Sequence, residues 1–128
     1  NLNLNLSLFP EEVTDIAAVL KRHPQVWVYA DEIYSRLAYS GEFFSIAQVP
    51  GMYERTIISD GASKTWAMTG WRVGWLVAPP AIGQVIENLI QYSTSGVAQF
   101  MQRGAVAALD YRSGPGPRPH PDESIPAK

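Results

Sequence analysis

The chain contains no cysteine, so disulfides and thiolate metal sites are excluded and a reducing compartment is expected. Histidine occurs only twice, at His23 and His120, and neither has partners spaced for a metal. Long apolar runs are also missing. The longest falls far short of the ~20 residues of a membrane span, and no basic-then-apolar leader opens the sequence. No membrane contact is expected, and the protein is expected to be cytoplasmic. Basic charge is in short supply: 10 Lys and Arg stand against 12 Asp and Glu, a net charge of −2. That balance gives no electrostatic reason to bind nucleic acid. Lysine is scarcest of all, with only Lys21, Lys64 and Lys128.

What is present describes a globular domain. The 128 residues are 46% hydrophobic and 17% charged, enough for one moderate core. The opening "NLNLNLSLF" alternates with period two, as a strand does, although its repetition is also low-complexity. A helix is predicted from Pro10 to His23. Pro10 suits a first helical position and Glu11 and Glu12 suit the positive end of its dipole. Val13, Ile16, Ala17 and Leu20 form its apolar stripe, and Pro24 stops it.

Strands are predicted at Val26–Ala30, Thr56–Ser59 and Val73–Ala78, the first apolar enough to be covered on both faces. Helices are predicted over Ala81–Tyr92 and Val97–Leu109, with Ser93, Thr94 and Ser95 as candidate caps for the second. Strands alternating with helices indicate an α/β layer architecture. Residues Tyr111 to Lys128 carry five of the ten prolines and read as a disordered tail.

Ligands of open α/β sheets gather at the carboxyl ends of strands. Two such ends here carry reactive side chains. "VWVYADEIY" delivers Asp31 and Tyr34; "TIISDGASK" delivers Ser63 and Lys64, with Arg72 eight positions further on. A lysine amine attacks carbonyl carbon only when unprotonated, or is held already as a Schiff base. An arginine clamps a phosphate bidentately, a carboxylate holds a ring nitrogen protonated, and a phenol bonds a ring oxygen. Pyridoxal phosphate needs all four partners.

The segment "GASKTWAMTGWRVG" (Gly61–Gly74) resembles the lysine signature of class I and II aminotransferases, of the aspartate and aromatic type, among fold type I pyridoxal-phosphate enzymes. The match runs without a gap through Gly61, Ser63, Lys64, Ala67, Met68, Gly70, Arg72 and Gly74. The Asp-Glu-x-Tyr at Asp31–Tyr34 and "STSGVAQFMQRGAVAAL" resemble the flanking stretches, so the likeness covers about Pro10 to Asp110.

The resemblance implies an α/β fold: part of the mixed, mostly parallel sheet with flanking helices of the large domain, its third strand antiparallel. Residues 1–9 would be an atypical N-terminal segment, 10–110 a partial cofactor-binding domain and 111–128 the tail. Lys64 would bond the cofactor aldehyde and move the substrate proton. Asp31 would pair with the ring nitrogen, Tyr34 with the ring oxygen, and Arg72 with the phosphate, helped by Ser63.

The implied reaction transfers an amino group between an L-amino acid and a 2-oxo acid, in amino-acid metabolism, by a homodimer. Many relatives carry a phosphate-binding hydroxyl where this chain has Gly61, and an Asn-Pro-x-Gly turn before the first helix that is absent here. The segments that would supply the phosphate loop, the stacking aromatic and the substrate-carboxylate arginine are not in the sequence. By itself the chain is therefore not expected to transaminate. The alternative is a non-catalytic aminotransferase-derived fragment that serves only as a folding or association module.

Each residue also has a plainer reading. A lone lysine is usually solvated, Asp31 could cap a turn, Tyr34 could pack with a wet hydroxyl, and Arg72 could be a surface cation. The shared spacing favours the cofactor roles. Trp66, Trp71 and Trp75 are read as packing residues, because no basic stripe accompanies them.

Overall fold

The computed structural model describes residues 8–37 and 42–113. The first helix, α1 (Pro10–Lys21), starts as its composition dictates, with Pro10 leading and Glu11 and Glu12 in the first turn. Phe9 precedes it and offers no capping oxygen, so the Glu12 carboxylate accepts the Phe9 N–H at 2.8 Å instead. The helix stops at Lys21, two residues short of the predicted His23. Arg55 takes up the carbonyls there, donating to those of Leu20 at 3.1 Å, His23 at 2.6 Å and Val26. Val13 and Ala17 are buried and Leu20 half-buried, but Ile16 is exposed, so the apolar stripe is narrower than predicted.

Three strands form one sheet in the order β1-β2-β3: β1 (Val28–Asp31), β2 (Thr56–Gly61) and β3 (Gly74–Val77). β1 and β2 run parallel, with Val28 beside Thr56 and Asp31 beside Ser59. β2 and β3 run antiparallel, with Ile58 beside Val77 and Gly61 beside Gly74. The mixed sheet and its antiparallel third strand match the expectation. The boundaries shift because the ladders set them: β1 runs on to Asp31 and β2 to Gly61, where Gly74 still offers a partner. β1 is not covered on both faces. Tyr29 is 65% exposed and Trp27 49%, so one face of this strand is bare in the chain.

After β2 comes a single helical turn, α2 (Ala62–Thr65), followed by α3 (Pro80–Ser93) and α4 (Gln99–Ser113). Short 3-10 turns occupy Ile46–Gln48, Tyr53–Arg55 and Thr69–Trp71. The polar run after α3 closes that helix and does not cap the next. The Ser93 and Thr94 hydroxyls donate back to the carbonyls of Leu89 (2.7 Å) and Ile90 (3.5 Å), and Ser95 turns the chain with φ 56°. Because α4 continues to Ser113, Tyr111–Ser113 is helix and not tail. The rest of the predicted tail, and Asn1–Ser7 of the predicted N-terminal strand, lie outside the described residues. Leu8 and Phe9 are in no strand.

Two small cores hold these elements. One joins α1 to the following segment through Val13, Ala17, Val49 and Met52, with Leu20 and Val28 packed against it. The other joins Ala62, Val73 and Ala105, with Trp66, Met68, Trp75 and Met101 around them. The second core ties α4 to the end of β2, where Lys64 emerges. No helix is long and apolar enough to cross a membrane among the described residues.

Gly61 sits at the junction of β2 and β3 for lack of space. Its φ of −176° is extended backbone that any residue adopts, but a Cβ there would lie 2.9 Å from the Val73 carbonyl oxygen, 3.1 Å from the Gly74 Cα and 3.3 Å from the Ile33 side chain. Gly61→Ala is therefore expected to lower stability by about 1–3 kcal/mol in urea unfolding. An alanine variant as stable as the parent would show that the two strands part freely at this point.

Candidate active site

The parallel ladder places two strand ends side by side. Asp31 is the last residue of β1 and lies beside Ser59 of β2. Beyond Asp31 the chain enters a turn, and the Glu32 N–H donates to the Ser59 carbonyl at 2.8 Å. That bond folds residues 32–36 over the end of β2. Tyr34 stands in this turn and is half exposed. β2 ends at Gly61 and passes directly into α2, which carries Lys64 on its solvent side. The Lys64 Nζ sits 5.8 Å from the centroid of the Tyr34 ring, within range for a cation over an aromatic face.

The structure therefore brings Tyr34 and Lys64 together, with Asp31 three residues before Tyr34 on the same strand end. The Ser59 hydroxyl donates to Asp31 Oδ1 at 3.1 Å. Ser63 precedes Lys64 in α2 and is half-buried. Arg72 lies two residues before β3, which starts at Gly74 and not at the predicted Val73. It is an exposed residue in the left-handed region, φ 52° and ψ 43°, and its guanidinium donates to the Thr69 carbonyl at 3.0 Å. A left-handed non-glycine residue costs energy, and the neighbours on either side hold it. Val73 is buried in the second core, and the Trp71 ring lies against Gly104 of α4.

Sequence reasoning missed a polar cluster beside these residues. Arg36 stacks over the Trp66 ring at 5.0 Å and lies 3.8 Å from the Asp60 carboxylate. Asp60 also accepts the Gly61 N–H at 2.7 Å. Glu32 accepts a 2.5 Å bond from the Ser45 hydroxyl, and Ser45 in turn caps the Ile46–Gln48 turn. Burial holds the Glu32 carboxyl above its ordinary value; Asp60 adds to the rise and the Ser45 bond opposes it. These residues are far apart in sequence, and only the register of β1 on β2 gathers them. Trp66 and Trp75 pack with centroids 6.4 Å apart, as their reading as packing residues requires.

A cavity of about 630 Å³ lies between β3 and α3 among Ser59, Asp60, Trp75, Leu76, Ile86 and Ile90. None of Asp31, Tyr34, Ser63, Lys64 or Arg72 lines it, and its walls are mainly apolar. The polar rim at the ends of β1 and β2 carries the reactive groups, and reactivity decides which of the two is the candidate site. The donor set fits pyridoxal phosphate: an exposed amine, a carboxylate at a strand end, a phenol beside the amine and an exposed guanidinium.

The sequence model for "Aminotransferase class I and II" matches residues 7–113, and the chain belongs to that family. It is 40% identical over 105 residues to the aspartate aminotransferase of Pinus pinaster, covering 80% of this chain and 21% of the relative. It is 41% identical over 101 residues to the arginine–pyruvate transaminase of Pseudomonas aeruginosa, covering 79% and 26%. Among solved structures it resembles the aromatic aminotransferase from Pyrococcus horikoshii, with a TM-score of 0.76 and 37% identity over 80% of this chain and 27% of that one. The chain thus spans roughly a quarter of the length of the proteins it matches. Its α/β fold with a mixed sheet is the fold type I aminotransferase fold.

Glu32 provides a pH test of the rim. Its folded carboxyl binds a proton more tightly than the unfolded one, so the stability it contributes is full below the ordinary glutamate range and is lost as pH rises through the raised value. Glu32→Gln keeps an acceptor for Ser45 and removes the charge. Its melting temperature should exceed the parent's at pH 7, and the gain should vanish below about pH 4. A gain that is equal at both pH values would contradict a buried, charged Glu32.

Proposed function

We propose that the chain is the lysine-bearing part of the large domain of a pyridoxal-phosphate-dependent aminotransferase, with residues 10–110 forming that partial domain. The whole protein would transfer an amino group between an L-amino acid and a 2-oxo acid, of the aspartate or aromatic type, as a cytoplasmic homodimer. The observation that carries this reading is the Lys64 amine, 5.8 Å from the Tyr34 ring, at the end of a strand paired in parallel with the one that ends in Asp31.

When bound, pyridoxal phosphate supplies an aldehyde and an electron-withdrawing ring that acidifies the substrate α-carbon. The chain's own residues do the rest. Lys64 would hold the cofactor through its amine, and the same amine would serve as the base that moves the substrate α-proton. The Asp31 carboxylate accepts from the protonated ring nitrogen and keeps it charged. The Tyr34 hydroxyl would donate to the ring oxygen, and the Arg72 guanidinium would bind the phosphate. Ser63 adds a hydroxyl beside the phosphate. Gly61 has no side chain to offer, and the crowding around it leaves no room for the hydroxyl many relatives carry.

A second reading is favoured by one observation. Val85, Leu89 and Tyr92 of α3 are strongly exposed, a surface suited to association. On that reading the chain is a non-catalytic module that folds or associates without binding cofactor.

Incubation of the chain with pyridoxal phosphate, reduction with borohydride and peptide mapping separates the two. The cofactor reading expects the label on Lys64 and its loss in Lys64→Ala; label spread over Lys21 and Lys128 supports the module. Arg72→Lys keeps the charge but not the fork. It should raise the pyridoxal phosphate concentration needed for Lys64 labelling about 10- to 100-fold, while leaving labelling by phosphate-free pyridoxal unchanged. An equal change for both compounds would remove Arg72 from the phosphate.

A further inference from the structure

We infer that Ser59 is a positioning residue for Asp31, an inference that rests on the cofactor role proposed for Asp31. A carboxylate on a short exposed side chain at a strand end rotates freely about its terminal bond. To hold a ring nitrogen it must keep one oxygen presented in a fixed direction. In this chain the parallel ladder sets Ser59 beside Asp31, and the Ser59 hydroxyl donates to Asp31 Oδ1 at 3.1 Å. The bond fixes the carboxylate plane and leaves Oδ2 with its lone pairs available.

Ser59 is itself held on both sides. Its carbonyl accepts the Glu32 N–H at 2.8 Å, which locks its backbone to the residue after Asp31. Its register with Leu76 of β3 fixes it from the other edge. The side chain of half-buried Ser59 thus starts from an anchored backbone. Adjacent side chains of a strand point to opposite faces. The next carboxylate, Asp60, accordingly turns away from Asp31, where it accepts the Gly61 N–H and faces Arg36. The two carboxylates at this rim do not compete for the Ser59 hydroxyl.

The Ser59–Asp31 bond acts at the ring nitrogen, so its effect depends on the ligand having one. The test compares pyridoxal phosphate with its 1-deaza analogue, in which a C–H replaces the ring nitrogen while aldehyde and phosphate remain. Both are titrated into the full chain, Ser59→Ala and Ser59→Thr, and binding is read as the concentration that half-saturates borohydride labelling of Lys64. Circular dichroism checks that each variant is folded.

The expected result is that Ser59→Ala weakens pyridoxal phosphate by a factor of about five, leaves the deaza analogue unchanged, and is rescued by Ser59→Thr, which restores the hydroxyl. An equal loss for both ligands, or no loss for either, would overturn the role of Ser59 while the Lys64 label upholds the cofactor site. Failure of the parent chain to label at Lys64 with either compound would overturn the cofactor reading and this inference with it. If Ser59→Ala does not fold, Ser59→Cys replaces it, since a thiol donates only weakly: the same selective loss of pyridoxal phosphate is expected, an unshifted ratio would overturn the role, and a ratio shifted in Ser59→Thr would contradict rescue.

Discussion

The parallel pairing of Val28–Asp31 with Thr56–Gly61 is the interaction on which the site depends. Parallel strands need a long crossover between them, and here that crossover places 24 intervening residues between Asp31 and Thr56. Its reward is register. Once Val28 lies beside Thr56, Asp31 must lie beside Ser59, and a slip of one residue would turn Asp31 to the opposite face. Contacts beyond the ladder reinforce that register. Glu32 N–H reaches the Ser59 carbonyl, and Arg36 reaches across to Asp60 and Trp66. Arg55 meanwhile ties the end of α1 to the start of β1.

The second constraint is the close approach of β2 and β3. Gly61 faces Gly74, and the Ala62 N–H donates to the Val73 carbonyl at 3.0 Å. Two strands this close at their ends leave α2 no freedom to start elsewhere, so the Lys64 position follows from a glycine three residues before it. Packing of α4 on the same end, through Ala105 and Met101, steadies the loop that carries Arg72. The lysine turn thus combines exposed reactive groups with a buried base. By contrast, α3 contributes no buried residue, and β1 and β3 each have one edge without a partner strand among the described residues. Unpaired edges and bare apolar faces favour association.

Much of this was legible in the sequence, for identifiable reasons. Helix α1 could be read from Pro10, the two glutamates and the spacing of Val13 and Ala17. The lysine turn could be read because Gly61, Lys64, Arg72 and Gly74 stand at fixed spacing. What could not be read was set by tertiary contacts. The exposure of Ile16 and Tyr29 depends on how much of each face is covered by other elements. The left-handed Arg72 depends on Trp71 and Val73 being packed on either side. The pairing of Ser59 with Asp31 depends on register, and a serine at the end of an apolar run has no local pattern to mark it; its only signal was that both residues end such runs. In sequence Ser93 and Thr94 read as caps of α4, but their hydroxyls turn back to the carbonyls of Leu89 and Ile90 and close α3.

The register of β1 on β2 carries the Asp31–Tyr34 turn to the Lys64 side chain. Nuclear Overhauser spectroscopy on the isotope-labelled chain in solution tests it most directly. Cross-peaks are expected between the Lys64 side-chain methylenes and the Tyr34 ring, together with cross-strand contacts between Asp31 and Ser59. Intact contacts along β1 and β2 with no cross-peak between Lys64 and Tyr34, or a ladder shifted by one residue, would contradict it.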